Sequence, residues 1–302
     1  MTENFYDMLT MFRSGGGNLE ALFERKSTPL WRSFLTSPLK TLAKTIYRLR
    51  QAVAKQAVDA IDVVCISDTH NLQPKIPHGD LLIHAGDLTQ SGSIQELQTA
   101  LDWLKSLPHP HKVLVAGNHD VSLQSSEKSK LNWEGLTYLE ESATSIKFSG
   151  GRVVTLYGSP WTRKHGNWAF QYPGHEDVWT NTLPSDLDIL VTHCPPRFHL
   201  DIDGFGDENL LGEIRRTQPA LHVFGHLHAG YGQDVLLHDD FEVLYESLYR
   251  GSAGFTAVLK MLYHLIRFKM GFVRGRGTIL VNASAVGGLR DTLVRTSITV
   301  RI

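Results

Sequence analysis

Apolar residues in this chain fall into short unbroken runs, and five of these runs stop at a polar cluster. Ile61–Ser67 ends in Asp68-Thr69-His70, Leu81–Ala85 in Gly86-Asp87, and Val113–Ala116 in Gly117-Asn118-His119-Asp120. Asp188–Thr192 ends in His193-Cys194-Pro195-Pro196 and Leu221–Phe224 in Gly225-His226-Leu227-His228. Runs that are hydrophobic at consecutive positions are buried on both faces, as strands of parallel sheets are. In open α/β sheets chemistry collects beyond the carboxyl ends of strands, where all five clusters stand. Gly117 permits a sharp turn and a close backbone approach to a ligand.

Other periods fill the intervals. Leu39, Leu42, Ile46, Leu49 and Val53 recur at three- and four-residue steps, which predicts an amphipathic helix over Pro38–Val58 with Pro38 in its first turn. Ser93 and Glu96 form a capping box, and Ile94, Leu97, Leu101 and Leu104 line one face of the helix that follows, closed by Pro108. Leu136–Leu139, Thr144–Phe148 and Val153–Tyr157 read as short antiparallel strands. Ser159–Trp179 carries five aromatic residues without helical or strand period and reads as a packed loop near the site, a substrate wall. Asp207 caps a short helix bearing Leu210, Leu211 and Ile214. Phe241–Met270 is helical in character, and Thr278–Asn282 and Ser297–Ile302 close the core. The β-loop-β-α-β series makes the core α/β with a largely parallel sheet. Two divisions follow: a basic helical extension over 1–60, and a catalytic domain over 61–302 with a helical insertion at about 240–272.

Composition changes this picture little. The chain has 302 residues, 42% hydrophobic and 20% charged, with a formal net charge of −1, so no global charge draws it to a nucleic-acid polymer. Its two cysteines, Cys65 and Cys194, make no disulfide framework and fit a reducing compartment. The N-terminus lacks the charged and apolar regions of a secretory leader, and no apolar run is long enough to span a bilayer. These readings together point to the cytoplasm. Charge is uneven locally: 25–58 carries eight basic residues and no acidic one before Asp59. That segment reads as a helical arm packed on the catalytic domain, with a basic face in water, in preference to a membrane-binding helix. Residues 255–276 combine a wide apolar face with Lys260, His264, Arg267, Lys269, Arg274 and Arg276. They suit either a docked helix or one on an anionic membrane surface, which would make the protein peripheral.

The strand-end clusters carry the chemistry. In Asp68-x-His70 and His226-x-His228 the single spacer puts both side chains on one side of an extended segment, an arrangement for converging metal ligands. Carboxylates, an amide and imidazoles without thiolate favour Mn, Fe or Zn, with Mg also admissible, over Ca or a closed structural zinc. Two such ions clamp the attacking and leaving oxygens of an in-line displacement and acidify a bound water. Taken singly, each residue has a structural alternative: Asp87 as a turn cap, Asn118 as a turn former, His193 as a buried hydrogen-bonded histidine. His84 and His222 lie inside strands and read as packing residues or supports behind ligands. His165 and His175 read as surface residues.

The ordered set of five motifs resembles the metallophosphoesterase, or calcineurin-like phosphoesterase, superfamily over about Val63 to Gly232. It is nearest to the branch of metallophosphoesterase-domain-containing proteins. The resemblance implies a four-layer α-β-β-α sandwich of two mixed β-sheets with flanking helices. It also implies two divalent metal ions. Asp68, His70 and His228 would hold the first, Asn118, His193 and His226 the second, and Asp87 would bridge both. A water held between the ions would be the nucleophile. His119 would face the phosphate and the leaving oxygen, with Asp120 orienting it. Asp207 and Ala229 depart from the family's usual Cys and Glu at positions that are not ligands. The implied reaction is hydrolysis of a small phosphoester, foremost a cyclic-nucleotide-like diester. A phosphomonoesterase or protein phosphatase, or a catalytically weak scaffold retaining the fold, are the alternatives.

Overall fold

The structure, a computed structural model, describes residues 29–50, 59–202, 204–272, 277–288 and 291–302. The buried runs form strands as their pattern predicts. β1 (Asp62–Ile66), β2 (Leu81–Ala85) and β3 (His111–Val115) are parallel and in register, Ile66 facing His84 and His84 facing Leu114. Their carboxyl ends therefore share one edge, and Asp68, Asp87 and Asn118 all emerge there.

α1 (Leu30–Thr36) and α2 (Pro38–Arg50) precede β1, and α3 (Ile94–Ser106) links β2 to β3. α3 starts at the predicted capping box: the Ser93 hydroxyl accepts from the Glu96 amide and the Glu96 carboxylate accepts from the Ser93 amide. Its Leu97, Leu101 and Leu104 pack with Val64, Leu82 and Leu114 in one apolar cluster.

β4 (Thr137–Tyr138), β5 (Ser142–Lys147), β6 (Val153–Ser159), β7 (Thr162–Arg163) and β8 (Gln171–Tyr172) follow. β5 and β6 are antiparallel as expected, but β4 pairs parallel with β3. The strand expectation there held and the orientation did not, because a two-residue strand carries no orientation signal. The aromatic segment also departs from expectation: β7 and β8 pair in parallel, so it is a short clasp and not an irregular loop.

β9 (Ile189–Thr192), α4 (Glu208–Thr217), β10 (Leu221–Phe224) and β11 (Gly232–Leu237) come next. β11 was unforeseen, its apolar run being only Val235-Leu236-Leu237. The Asp207 carboxylate caps α4 through the Leu210 amide. The expected single helical stretch is two helices, α5 (Asp240–Arg250) and α6 (Phe255–Lys269). Gly251 divides them in the left-handed conformation (φ 80°) that glycine adopts at helix ends. β12 (Gly277–Asn282), β13 (Val286–Gly287), β14 (Thr292–Leu293) and β15 (Ile298–Arg301) complete the chain.

Two mixed sheets result, with strand orders β15-β1-β2-β3-β4 and β11-β12-β10-β9-β6-β5. β2 packs on β9 and β10, and β3 on β9 and β6, so the loops after β9 and β10 meet those after β1, β2 and β3. No helix among the described residues is long and apolar enough to cross a membrane.

The described residues divide into two compact units, one within 59–234 and 280–302, the other within 29–50 and 235–279. In the second, α2, α5 and α6 pack on one another. Tyr47 stacks on Tyr245 at 4.2 Å, Lys40 lies 4.0 Å over the Tyr249 ring, and Arg50 is buried against Asp239 and Glu242. The basic helix thus joins the helical insertion. Arg50 was expected to face water and is instead an internal counter-charge. Residues 51–58 of the expected helix lie outside the described residues.

Candidate functional site

The strand ends turn abruptly. Asp68, His70, Asp87 and His226 all have left-handed backbones (φ 51°, 43°, 53° and 67°), a costly state for non-glycine residues that gathers at functional sites. Glycine permits the close approach around them. A Cβ on Gly117 would lie 2.2 Å from Asp87 Oδ1, one on Gly225 2.1 Å from Asp68 Oδ2, and one on Gly86 2.5 Å from His193 Nδ1.

Two groups of ligand atoms converge: Asp68, His70 and His228, and Asp87, His193 and His226. Within each the atoms lie inside 4.8 Å of one another, and a third group of His70, Asp87 and His119 joins them. Asp87 Oδ2 is 3.2 Å from His193 Nε2 and 3.8 Å from His70 Nε2, so one carboxylate faces both sets. Asn118 Oδ1 is 3.1 Å from His193 Nε2. His228 Nε2 is 3.3 Å from Asp68 Oδ1.

Backbone carbonyls set the imidazoles. A carbonyl only accepts, so His193 Nδ1–H donates to Ala85 O at 2.8 Å, which presents Nε2 to the site. His119 Nδ1–H likewise donates to Gln90 O at 2.8 Å. Both ring nitrogens of His70 are buried without a hydrogen-bond partner. Buried polar atoms are almost always satisfied, and an orphaned imidazole among carboxylates fits a divalent cation. The donor set fits as well, being carboxylate, imidazole and amide throughout.

Burial would raise the Asp68 carboxyl, but the hydrogen bond and charge of His228 hold it below the usual range. Burial would likewise raise Asp87, and His193 and His70 pull it well down. Burial disfavours charge on His193, yet the Asp87 carboxylate lifts it to about 9. Burial, then the neighbouring His193 and His165, press His226 well below an ordinary histidine.

Asp120 departs from its expected role. Its carboxylate accepts from the amides of Gly117 (2.9 Å), Leu88 (3.2 Å) and Thr89 (3.0 Å) and from the Thr89 hydroxyl (2.7 Å). It ties the loop after β2 to the loop after β3, and the orientation of His119 falls to the Gln90 carbonyl. The other eight expected residues, Asp68, His70, Asp87, Asn118, His119, His193, His226 and His228, come together.

Ser284 was not foreseen, whereas an aromatic wall near the site and His84 behind it were. Ser284 Oγ donates to Asp68 Oδ2 at 2.8 Å, from a strand end with no polar cluster to mark it. Trp168 stacks on His119 with centroids 4.1 Å apart. His165 is exposed, as expected, and its ring stands 4.9 Å from His226. The clasp carrying both is anchored by buried Asp207, which accepts from Tyr172 Oη at 2.6 Å and Arg163 Nε at 2.9 Å. His84 supports from behind, its Nε2 3.0 Å from Thr69 Oγ1.

Two facing mixed sheets thus carry, at their strand ends, paired carboxylate–imidazole groups suited to divalent metals. Comparison with known proteins specifies the class. The calcineurin-like phosphoesterase family profile matches residues 61–230, and the chain belongs to that family. It is 39% identical over 298 residues to a protein of Emericella nidulans named probable rhamnogalacturonate lyase C, covering 94% of this chain and 29% of that one. It is 37% identical over 199 residues to human metallophosphoesterase domain-containing protein 1, covering 56% of this chain and 61% of that one. A match at 27% identity to the probable glycerophosphodiester phosphodiesterase GpdQ of Arcobacter nitrofigilis covers 54% of this chain and 61% of that protein. The chain thus spans less than two thirds of each of these relatives' lengths.

Proposed function

We propose that this chain hydrolyses small phosphodiesters at a dinuclear metal centre. Asp87 supports this most directly, because one buried carboxylate faces both ligand groups. Asp68, His70 and His228 would hold one divalent ion, and Asn118, His193 and His226 the other. When bound, such ions neutralise phosphate charge and lower the pKa of a coordinated water.

The chain's own residues do the rest. Ala85 O fixes the His193 tautomer, and Ser284 and the His226 amide fix the Asp68 carboxylate. His119 has Nδ1–H committed to Gln90, so only its imidazolium form, protonated at Nε2 as well, would donate to a phosphoryl oxygen or pass that Nε2 proton to the departing alkoxide. Trp168 against His119 offers an aromatic wall to the second ester substituent. That wall and the GpdQ match favour a diester over a monoester.

The test is hydrolysis of bis(p-nitrophenyl) phosphate and p-nitrophenyl phosphate by chelator-stripped protein with Mn²⁺ restored. Faster diester turnover that falls by about a hundredfold or more in Asp87→Ala is the expected result. Faster monoester turnover makes the chain a phosphomonoesterase, and metal binding without turnover makes it a scaffold.

A further inference from the structure

α6 is apolar on two opposite faces. Ala257, Val258, Met261 and Leu265 are buried within the α2–α5–α6 unit. At 100° per residue the far side of the helix carries Phe255, Leu259, Leu262, Tyr263, Ile266 and Met270, and all six are exposed, Leu259 by 52%, Ile266 by 58% and Met270 by 64%. Single exposed apolar residues are ordinary, but a contiguous stripe along four turns is an interaction surface. We propose that this stripe docks on an anionic lipid bilayer.

Charge selects that occupant. On the helix wheel Lys260 and Arg267 border one side of the stripe and Lys269 the other, so their ammonium and guanidinium groups lie beside the apolar residues, where long basic side chains reach up to headgroups. Arg267 and Lys269 also suit a helix C-terminus, but Lys260 is mid-helix and that account does not reach it. No acidic residue occurs between Glu246 and Asp291, and no acidic side chain pairs with these three among the described residues. A charged rim selects a surface of the opposite sign, and anionic headgroups attract clustered Lys and Arg. This rim has one sign.

A second element of the same unit has this character. α1 exposes Trp31, Phe34 and Leu35 at helical spacing beside Arg32, and it too has no acidic residue. Tryptophan at the edge of an apolar surface is the residue type of the membrane interface. The stripe is one helix deep and α6 is too short to span a bilayer, so the helix lies in the plane of the interface.

The test is flotation of the full chain with vesicles of phosphatidylcholine alone or with about 30 mol% phosphatidylserine, at low salt and at about 0.5 M salt. The expected result is binding to the anionic vesicles that weakens with salt and falls at least about tenfold in Leu259→Glu/Ile266→Glu. Both sites are exposed, so the variant keeps its thermal melt and its phosphoesterase turnover, separating this proposal from the hydrolase reading. Lys260→Gln/Arg267→Gln/Lys269→Gln is expected to lose the preference for anionic vesicles. Absence of binding at low salt, unchanged binding in either variant, or a solution dimer that Leu259→Glu/Ile266→Glu renders monomeric without vesicle binding would overturn the proposal.

Discussion

His193 shows how single residues set the behaviour of this site. The Asp87 carboxylate holds its imidazole at about 9, so the metal-free protein carries a proton where a metal ligand would need a lone pair. Metal uptake must displace that proton. Titration with Mn²⁺ in buffers of different ionisation enthalpy is expected to report net proton release near pH 7, and affinity is expected to rise as pH approaches 9. His222 behaves oppositely. Burial holds it down to about 3, against ~6.5 in an unfolded chain. The unfolded state therefore takes up a proton that the folded state refuses, and stability falls as pH drops from about 6.5 toward 3. Urea midpoints at pH 7 and pH 5 are expected to differ less in His222→Leu, since Thr192 Oγ1 keeps its bond to Cys194 O. For Asp120→Ala, which orphans three amides and a hydroxyl, a loss of about 3–5 kcal/mol in urea unfolding is expected. The candidate ligand residues were legible as strand-end positions because each follows an apolar run. The actual task of Asp120 was not, since it depends on two loops that meet only in the fold.

Among elements, the strands with long apolar runs were readable and the two-residue ones were not. β4 and the β7–β8 clasp draw their geometry from the neighbours they pair with, and no local pattern encodes that. Gly251 breaks a helical period that Phe241 to Met270 otherwise sustains, and a glycine inside such a pattern is ambiguous until its φ is known. Where the strand-end loops close on the site, space is the controlling quantity. In Gly225→Ala the new methyl would collide with Asp68 Oδ2 and Ser67 Oγ, displacing a candidate ligand by a fraction of an ångström or more. A drop in turnover of about a hundredfold, with little change in circular dichroism, is the expected outcome.

For the whole molecule, the α/β core was legible from strand order alone, because five buried runs with right-sized intervals leave few topologies. The second unit was not. It joins 29–50 to 235–279 among the described residues, and a bond that records the union, Arg50 to Glu242, links residues 192 apart in sequence. Metal is expected to stabilise the native state by mass action. With Mn²⁺ at about a hundred times its dissociation constant, calorimetry is expected to show roughly 2.7 kcal/mol of added stability, removed by chelator.

The left-handed residues at the strand ends carry a lesson for protein engineering. Asp68, His70, Asp87 and His226 owe their aim to backbone conformations that ordinary helices and strands never supply. Copying these side chains onto another scaffold at matching Cα positions would point them the wrong way. A transplant has to bring the turns themselves, and with them the glycines that leave room for the donors.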